Sequence, residues 1–135
     1  MPKPPDPNKT PDGKLEIRVL AMPENTNPNG DIFGGWVVSQ MDLAGLSTAR
    51  SYARSRVTTV AINSMVFYSP VKVGDFICCY AKLAKVGRTS LQIQIEVWAI
   101  GAEDAQRHQV TEGTFVYVAI DEHGRPKPLP TSSSN

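Results

Sequence analysis

Histidine, cysteine and long apolar runs are all scarce in this chain of 135 residues. Its two histidines, His108 and His123, have no cysteine or carboxylate at a recognised ligand spacing, so no metal site is expected. The only cysteines, Cys78 and Cys79, are adjacent. Neighbouring side chains of a strand point to opposite faces, which speaks against a disulfide and for two small packing residues in a reducing compartment. Charge of either sign is also lacking in excess. A formal net charge of +1 supplies no field for gripping a nucleic acid, so no nucleic-acid partner is expected. No apolar run approaches the ~20 residues of a membrane helix, and no membrane association is expected. The N-terminal "MPKPPDPNKTPDGK" has no apolar core like that of a signal peptide, so the expected location is cytoplasmic.

What is present suits one domain with one core: 41% of residues are hydrophobic. Eight of the eleven prolines fall in the first eleven residues or the last ten. Residues 1–14 therefore read as a disordered Pro-rich tail and 123–135 as an extended or disordered one, flanking a folded domain over 15–122. Within the body, "LEIRVL" (15–20) alternates as a short strand, and "AMPENTNPNGDIFGG" (21–35) is a loop rich in Asn, Pro and Gly. From Trp36 to about Ala53 apolar residues lie on every side, the pattern of a helix buried in the fold. Four strands follow, at 57–71, 75–86, 91–100 and 106–120. In "LQIQIEVWAI" the residues Leu91, Ile93, Ile95 and Val97 share one face, opposite Gln92, Gln94, Glu96 and Trp98. With no second helix to make crossovers, these strands should pair antiparallel and curve around the helix. The fold class is α+β. Trp98 and Tyr117 are expected on the outward face, where another subunit could cover them.

One residue stands out on chemical grounds. Between Asp31 and Arg50 the only ionisable side chain is Asp42. On a helical wheel its neighbours are Gly35, Val38, Ser39, Gly45, Leu46 and Ala49, with no Lys or Arg three or four positions away to pair with it. A buried structural carboxylate usually keeps a cation, whereas small neighbours leave room for another molecule. Gly34 and Gly35 allow close backbone approach, and the unpaired N–H groups of a helix start can hold a developing oxyanion. A carboxylate working as general base or nucleophile would complete a hydrolytic site for an acyl compound. The spacing resists a site within one helix, because seven residues rise ~10.5 Å. Two readings stay open on these residues: a catalytic Asp42, or an aspartate held by a serine, a backbone amide or a neighbouring subunit.

The segment "NTNPNGDIFGGWVVSQMDLAG" (25–45), with "VGD", "KVGRTS" and "IEVW" downstream, resembles the hotdog-fold acyl-CoA thioesterases, in particular the YciA-like acyl-CoA hydrolases. The resemblance implies an antiparallel curved sheet of five or six strands wrapped around one long central helix. It implies a homodimer, assembled further as a trimer of dimers, with active sites at the dimer interface. Asp31 to Gly35 of one subunit would then face Asp42 of its partner, which removes the distance problem. By resemblance Asp42 is the general base or nucleophile, the Gly35 N–H polarises the thioester carbonyl and Gly34 shapes the turn. Asp31 stands where related thioesterases carry an asparagine, and a turn-forming role competes with a catalytic one. Asn27 and Asn29 read as loop formers.

The substrate implied is an acyl-CoA, with no cofactor beyond the coenzyme A carried by the substrate. The "KVGRTS" turn matches one that lies near coenzyme A in relatives, offering Lys85, Gly87, Arg88, Thr89 and Ser90 to it. Arg54 and Arg56 are further candidates, and Phe33, Trp36 and Met65 could line an acyl tunnel. Hotdog dehydratases need a histidine in the loop-to-helix region, and neither His108 nor His123 is there. A non-catalytic acyl-CoA-binding or regulatory protein is the alternative of a different class.

Overall fold

The computed structural model of the protein describes residues 3–103 and 106–130; residues 1–2 and 131–135 of the two expected tails lie outside the described residues. Five strands and one long helix follow the expected order: β1 (Lys14–Leu20), α1 (Gly34–Ala53), β2 (Arg56–Phe67), β3 (Phe76–Val86), β4 (Ser90–Ile100) and β5 (Arg107–Ile120), with a short 3-10 turn at Pro23–Asn25. The helix starts two residues earlier than the apolar pattern suggests, because Gly34 and Gly35 form its first turn. The strands make one antiparallel sheet in the order β1-β3-β4-β5-β2. This is the helix-in-sheet arrangement the resemblance implied, built with five strands.

The inner face of the sheet follows the alternation read from β4. Leu91, Ile93, Ile95 and Val97 are fully buried, joined by Ile77, Cys79 and Ala81 of β3 and Phe115, Tyr117 and Ala119 of β5. Register explains why Tyr117 is among them: it pairs with inward-facing Leu91 across β4 and β5. The outward placement of Tyr117 is thus corrected, while Trp98 does lie on the outer face. Both cysteines are free. Cys79 belongs to the core, where burial pushes its thiol up to about 12.

Against this sheet α1 presents a stripe of mostly small residues: Val37, Met41, Ala44, Gly45, Ala49 and Ala53. Its other side is open in the single chain, with Leu43 54% exposed. Here the structure departs from the reading of a helix buried all round, since five strands curve around only one side of it. At its C-terminus Arg54 takes a left-handed conformation (φ 54°) and its N–H closes on the Arg50 carbonyl at 2.8 Å.

The outer face carries a polar cluster beneath the N-terminal segment. Lys9 Nζ lies 3.4 Å from Glu96 Oε2 and 3.5 Å from Glu112 Oε1. The Trp98 indole donates to Glu96 Oε1 at 2.9 Å, as does the Asp12 backbone N–H at 3.4 Å. That cover explains why Glu96 and Trp98 are buried on a face that the alternation alone assigns to solvent. The Tyr68 hydroxyl donates to Glu112, and this bond, helped by burial, pushes the phenol up to about 12. In the unfolded chain a tyrosine loses its proton at about 10, so raising the pH from about 10 to about 12 favours unfolding. Urea midpoints measured at pH 9 and pH 11 should fall between the two values, and fall less in Tyr68→Phe.

Candidate functional site

Asp42 sits midway along α1, half-buried, at the boundary between the small-residue stripe and the open side. Two strands reach it. The Thr59 hydroxyl of β2 donates to Asp42 Oδ1 at 2.7 Å. The Tyr117 hydroxyl of β5 lies 3.0 Å from the same oxygen and 2.9 Å from the Asp42 backbone carbonyl. No cation pairs with Asp42 and no protein donor reaches Oδ2 among the described residues. One carboxylate oxygen is therefore held and the other is available. Burial, then the charge and hydrogen bond of Asp42, raise the Tyr117 phenol above its ordinary value, so it stays a protonated donor.

A glycine makes this contact possible. Gly45 lies three residues after Asp42 on the same side of α1, and a Cβ built there would stand 2.2 Å from the Tyr117 hydroxyl oxygen. Only a residue without a side chain leaves that hydroxyl a path to the helix backbone. The Tyr117 ring is fixed from behind by Phe115, with centroids 6.5 Å apart and planes 17° apart.

Asp42 opens into a cleft of about 360 Å³ shared with Ser39, Gln40, Leu43, Leu46 and Thr59. Past Leu43 and Leu46 the surface continues as a groove of about 850 Å³ that carries Ser47, Arg50, Arg54 and Arg56. An apolar floor beside the carboxylate thus leads to Arg50, Arg54 and Arg56 at the helix end, with Glu16 in the same groove and the Arg56 guanidinium donating to the Asp121 carbonyl at 2.7 Å. Arg54 and Arg56 were expected near a phosphate-bearing ligand, and the structure adds Arg50 to them.

The helix start belongs to a different place in the chain. Asp31, Ile32, Gly34 and Phe67 line a separate cavity of about 280 Å³ that shares no residue with the Asp42 cleft. Asp31 faces Lys72 Nζ at 3.6 Å across an exposed surface. The Asn27 side-chain oxygen accepts the N–H groups of Asn29 (2.9 Å) and Asp31 (3.1 Å), which folds the loop tightly before the helix. Gly35 has open space where a Cβ would be, and its N–H has no acceptor among the described residues. Within one chain the cavity at the helix start is therefore separate from the Asp42 cleft, and Gly35 stands seven residues before Asp42 on α1, as the helical rise required.

The "KVGRTS" turn lies elsewhere again. The Gly87 N–H closes the turn on the Ser90 carbonyl at 2.8 Å, and the Arg88 carbonyl accepts the Leu129 N–H at 2.9 Å. Gly87 and Arg88 border a hollow of about 490 Å³ with Tyr52, Pro128 and Pro130, near the end of α1. Lys85 and Arg88 are exposed and Thr89 and Ser90 half-buried. Of the three residues proposed for an acyl tunnel, Phe33 is half exposed, whereas Trp36 and Met65 pack against the core. Among the described residues no group of three or more His, Cys, Asp or Glu side chains could hold a metal ion, and no helix is long and apolar enough to cross a membrane.

Thr59 and Tyr117 are the site residues that sequence reasoning missed. Each sits in an unremarkable alternating strand, and only strand register and helix placement bring them to Asp42. The one available signal was Gly45, a glycine inside a helix three residues from a lone carboxylate.

Residues 29–105 match the family model of the Thioesterase superfamily. The acyl-CoA thioester hydrolase YciA of Salmonella typhimurium is 52% identical over 126 residues, covering 91% of this chain and 95% of that protein. Among solved structures, a hexameric thioesterase from Yersinia pestis is similar with a TM-score of 0.88 and 50% identity, covering 91% of this chain and 100% of that one. A hexameric broad specificity acyl-coenzyme A thioesterase is similar with a TM-score of 0.86 and 46% identity, covering 92% of this chain and 86% of the other.

Proposed function

This chain belongs to the thioesterase superfamily, and from that premise we propose that it hydrolyses acyl-CoA thioesters to free coenzyme A and a carboxylic acid, with Asp42 as the reacting carboxylate. The observation that carries the assignment is the divided state of Asp42. Oδ1 is fixed by Thr59, Oδ2 has no protein donor among the described residues, and Asp42 lines the cleft, in a chain about half identical to a named acyl-CoA thioester hydrolase.

In the general-base version, Asp42 Oδ2 takes a proton from water as the water oxygen bonds to the thioester carbonyl carbon. The carbonyl electrons move onto oxygen, held by the Gly35 N–H. As the intermediate collapses, the carbon–sulfur bond breaks and the coenzyme A thiolate leaves, with the proton returned from Asp42. In the nucleophile version Asp42 attacks the carbonyl itself, the carbon–sulfur bond breaks to release the coenzyme A thiolate, and water then hydrolyses the mixed anhydride. The first version involves fewer covalent steps, and the free Oδ2 serves either. Single turnover in ¹⁸O water separates them, because only the anhydride route can leave label on Asp42.

The Gly35 amide reaches the reacting carbonyl from a second subunit. The free edge of β2 carries Val60 and Ile62, 55% and 42% exposed, beside Thr59 and the Asp42 cleft. Pairing this edge with a copy of itself would cover the open side of α1 and bring the partner's loop to Asp42. On this reading the dimers assemble into a hexamer as a trimer of dimers, supported by the hexameric state of the similar thioesterases. Light scattering should then give six times the 14.7 kDa chain mass. Lys85, Gly87, Arg88, Thr89 and Ser90, with Arg50, Arg54 and Arg56, are the groups offered to the phosphates and pantetheine of coenzyme A. We place the enzyme in the cytoplasm and assign it no cofactor of its own.

Thiol release measured over acyl chains from C2 to C16 tests the assignment. Turnover across several lengths is expected, because the cleft is open and floored by Leu43 and Leu46. Tight coenzyme A binding with no turnover at any length would instead favour a non-catalytic acyl-CoA-binding protein.

A further inference from the structure

We propose that Tyr117 is a positioning residue for the reaction, gripping Asp42 by side chain and backbone together so that its carboxylate is held in one orientation at the cleft it lines. The inference rests on the reading of Asp42 as the reacting carboxylate and extends it to a residue on another element. Three independent features point the same way. The Tyr117 hydroxyl lies within hydrogen-bond distance of both Asp42 Oδ1 (3.0 Å) and the Asp42 carbonyl (2.9 Å), so one phenol spans the torsion that sets the carboxylate direction. The approach is open only because position 45 is glycine. The ring is itself held, stacked on Phe115 and fully buried.

Thr59 alone does not supply this control. It touches one oxygen of the carboxylate from β2 and makes no hydrogen bond to the Asp42 main chain among the described residues. Tyr117, with its single proton shared between the two acceptors, ties that oxygen to the main chain of the same residue. A buried tyrosine that served only packing would need a single acceptor for its hydroxyl, and the Asp42 carbonyl would suffice. The second contact, to the carboxylate, is the one that bears on catalysis.

The test uses the full chain in its assembled state. Tyr117→Phe keeps the stacked ring and removes only the hydroxyl. With the carboxylate free to rotate, kcat should fall roughly 10- to 100-fold, the loss expected for a hydrogen bond to a charged group, while KM stays within about twofold. A double-mutant cycle with Asp42→Asn gives the readout that a packing role would not move. Because Tyr117 acts through Asp42, Tyr117→Phe should lower the residual rate of Asp42→Asn by less than about twofold. Tyr117→4-aminophenylalanine restores an N–H donor of similar size and should recover most of kcat. It also keeps the test available if Tyr117→Phe loses assembled mass or coenzyme A binding.

Undiminished kcat in assembled Tyr117→Phe overturns the proposal, as does an equal fold-loss in both backgrounds of the cycle. Failure of the 4-amino variant, folded and assembled, to regain activity would overturn it as well. These outcomes are distinct from failure of the Asp42 reading, which would show as full activity in Asp42→Asn itself.

Discussion

Asp42→Ala is expected to lower kcat by roughly 10²- to 10⁴-fold, the range that a positioned acid–base group contributes. Coenzyme A binding and assembly should stay near those of the natural chain. The structure explains why the two can be separated. Removing the carboxylate takes an acceptor from Thr59 and Tyr117, but the Tyr117 hydroxyl keeps the Asp42 backbone carbonyl at 2.9 Å. No cation is stranded, since none pairs with Asp42 among the described residues. The stability cost should therefore stay within the ~1–3 kcal/mol of an imperfectly satisfied buried hydroxyl. Asp42→Asn is the cleaner variant, because its amide oxygen can still accept from both hydroxyls while losing the base. Thiol release at saturating acyl-CoA, beside calorimetric titration with coenzyme A, checks both halves. Full turnover in Asp42→Ala would remove the assignment.

The second large effect is expected at Gly45, a residue that touches no substrate. An alanine there would place its Cβ 2.2 Å from the Tyr117 hydroxyl oxygen and 2.8 Å from both Tyr117 Cζ and Ile95 Cδ1. Alanine gains ~1 kcal/mol over glycine in a helix interior, but overpacking a dense core costs ~1–3 kcal/mol or more. With overlaps this deep the steric cost should prevail, leaving Gly45→Ala less stable by about 1–2 kcal/mol in urea denaturation. The hydroxyl must also withdraw from Asp42, so kcat should fall at least as far as in Tyr117→Phe. Combining the two changes provides the discriminating result. Without the hydroxyl the 2.2 Å contact disappears, so Gly45→Ala with Tyr117→Phe should be more stable than Gly45→Ala alone. Gly35→Ala serves as the contrast: nothing lies within 4 Å of its Cβ position, and stability should hardly change. A Gly45→Ala chain as stable and active as the natural one would show that Tyr117 does not need the notch.

The same contact shows how a glycine can act at a distance from chemistry. Gly45 admits the phenol, the phenol fixes the carboxylate, and the carboxylate faces the cleft. Each link is local, yet the three residues come from a helix and a strand more than seventy positions apart in the chain.

The sequence by itself determined the elements and the residue worth asking about. Period-two alternation in β4 identified Leu91, Ile93, Ile95 and Val97 as core, because a strand facing one apolar layer must repeat every second residue. A lone carboxylate among small neighbours marked Asp42, because charge without a partner conflicts with burial. The ~10.5 Å rise over seven residues already separated Asp42 from Gly35 of the same helix. Tertiary structure decided what touches what. Tyr117 turned inward because register with Leu91 placed it there, and local alternation cannot fix the phase of one strand against its neighbour. Glu96 and Trp98 became buried only because a segment more than eighty residues earlier crosses them. One side of α1 stayed open because five strands cannot enclose it. Thr59 and Tyr117 met Asp42 for the same physical reason: hydrogen bonds act over about 3 Å in space, whatever the separation along the chain.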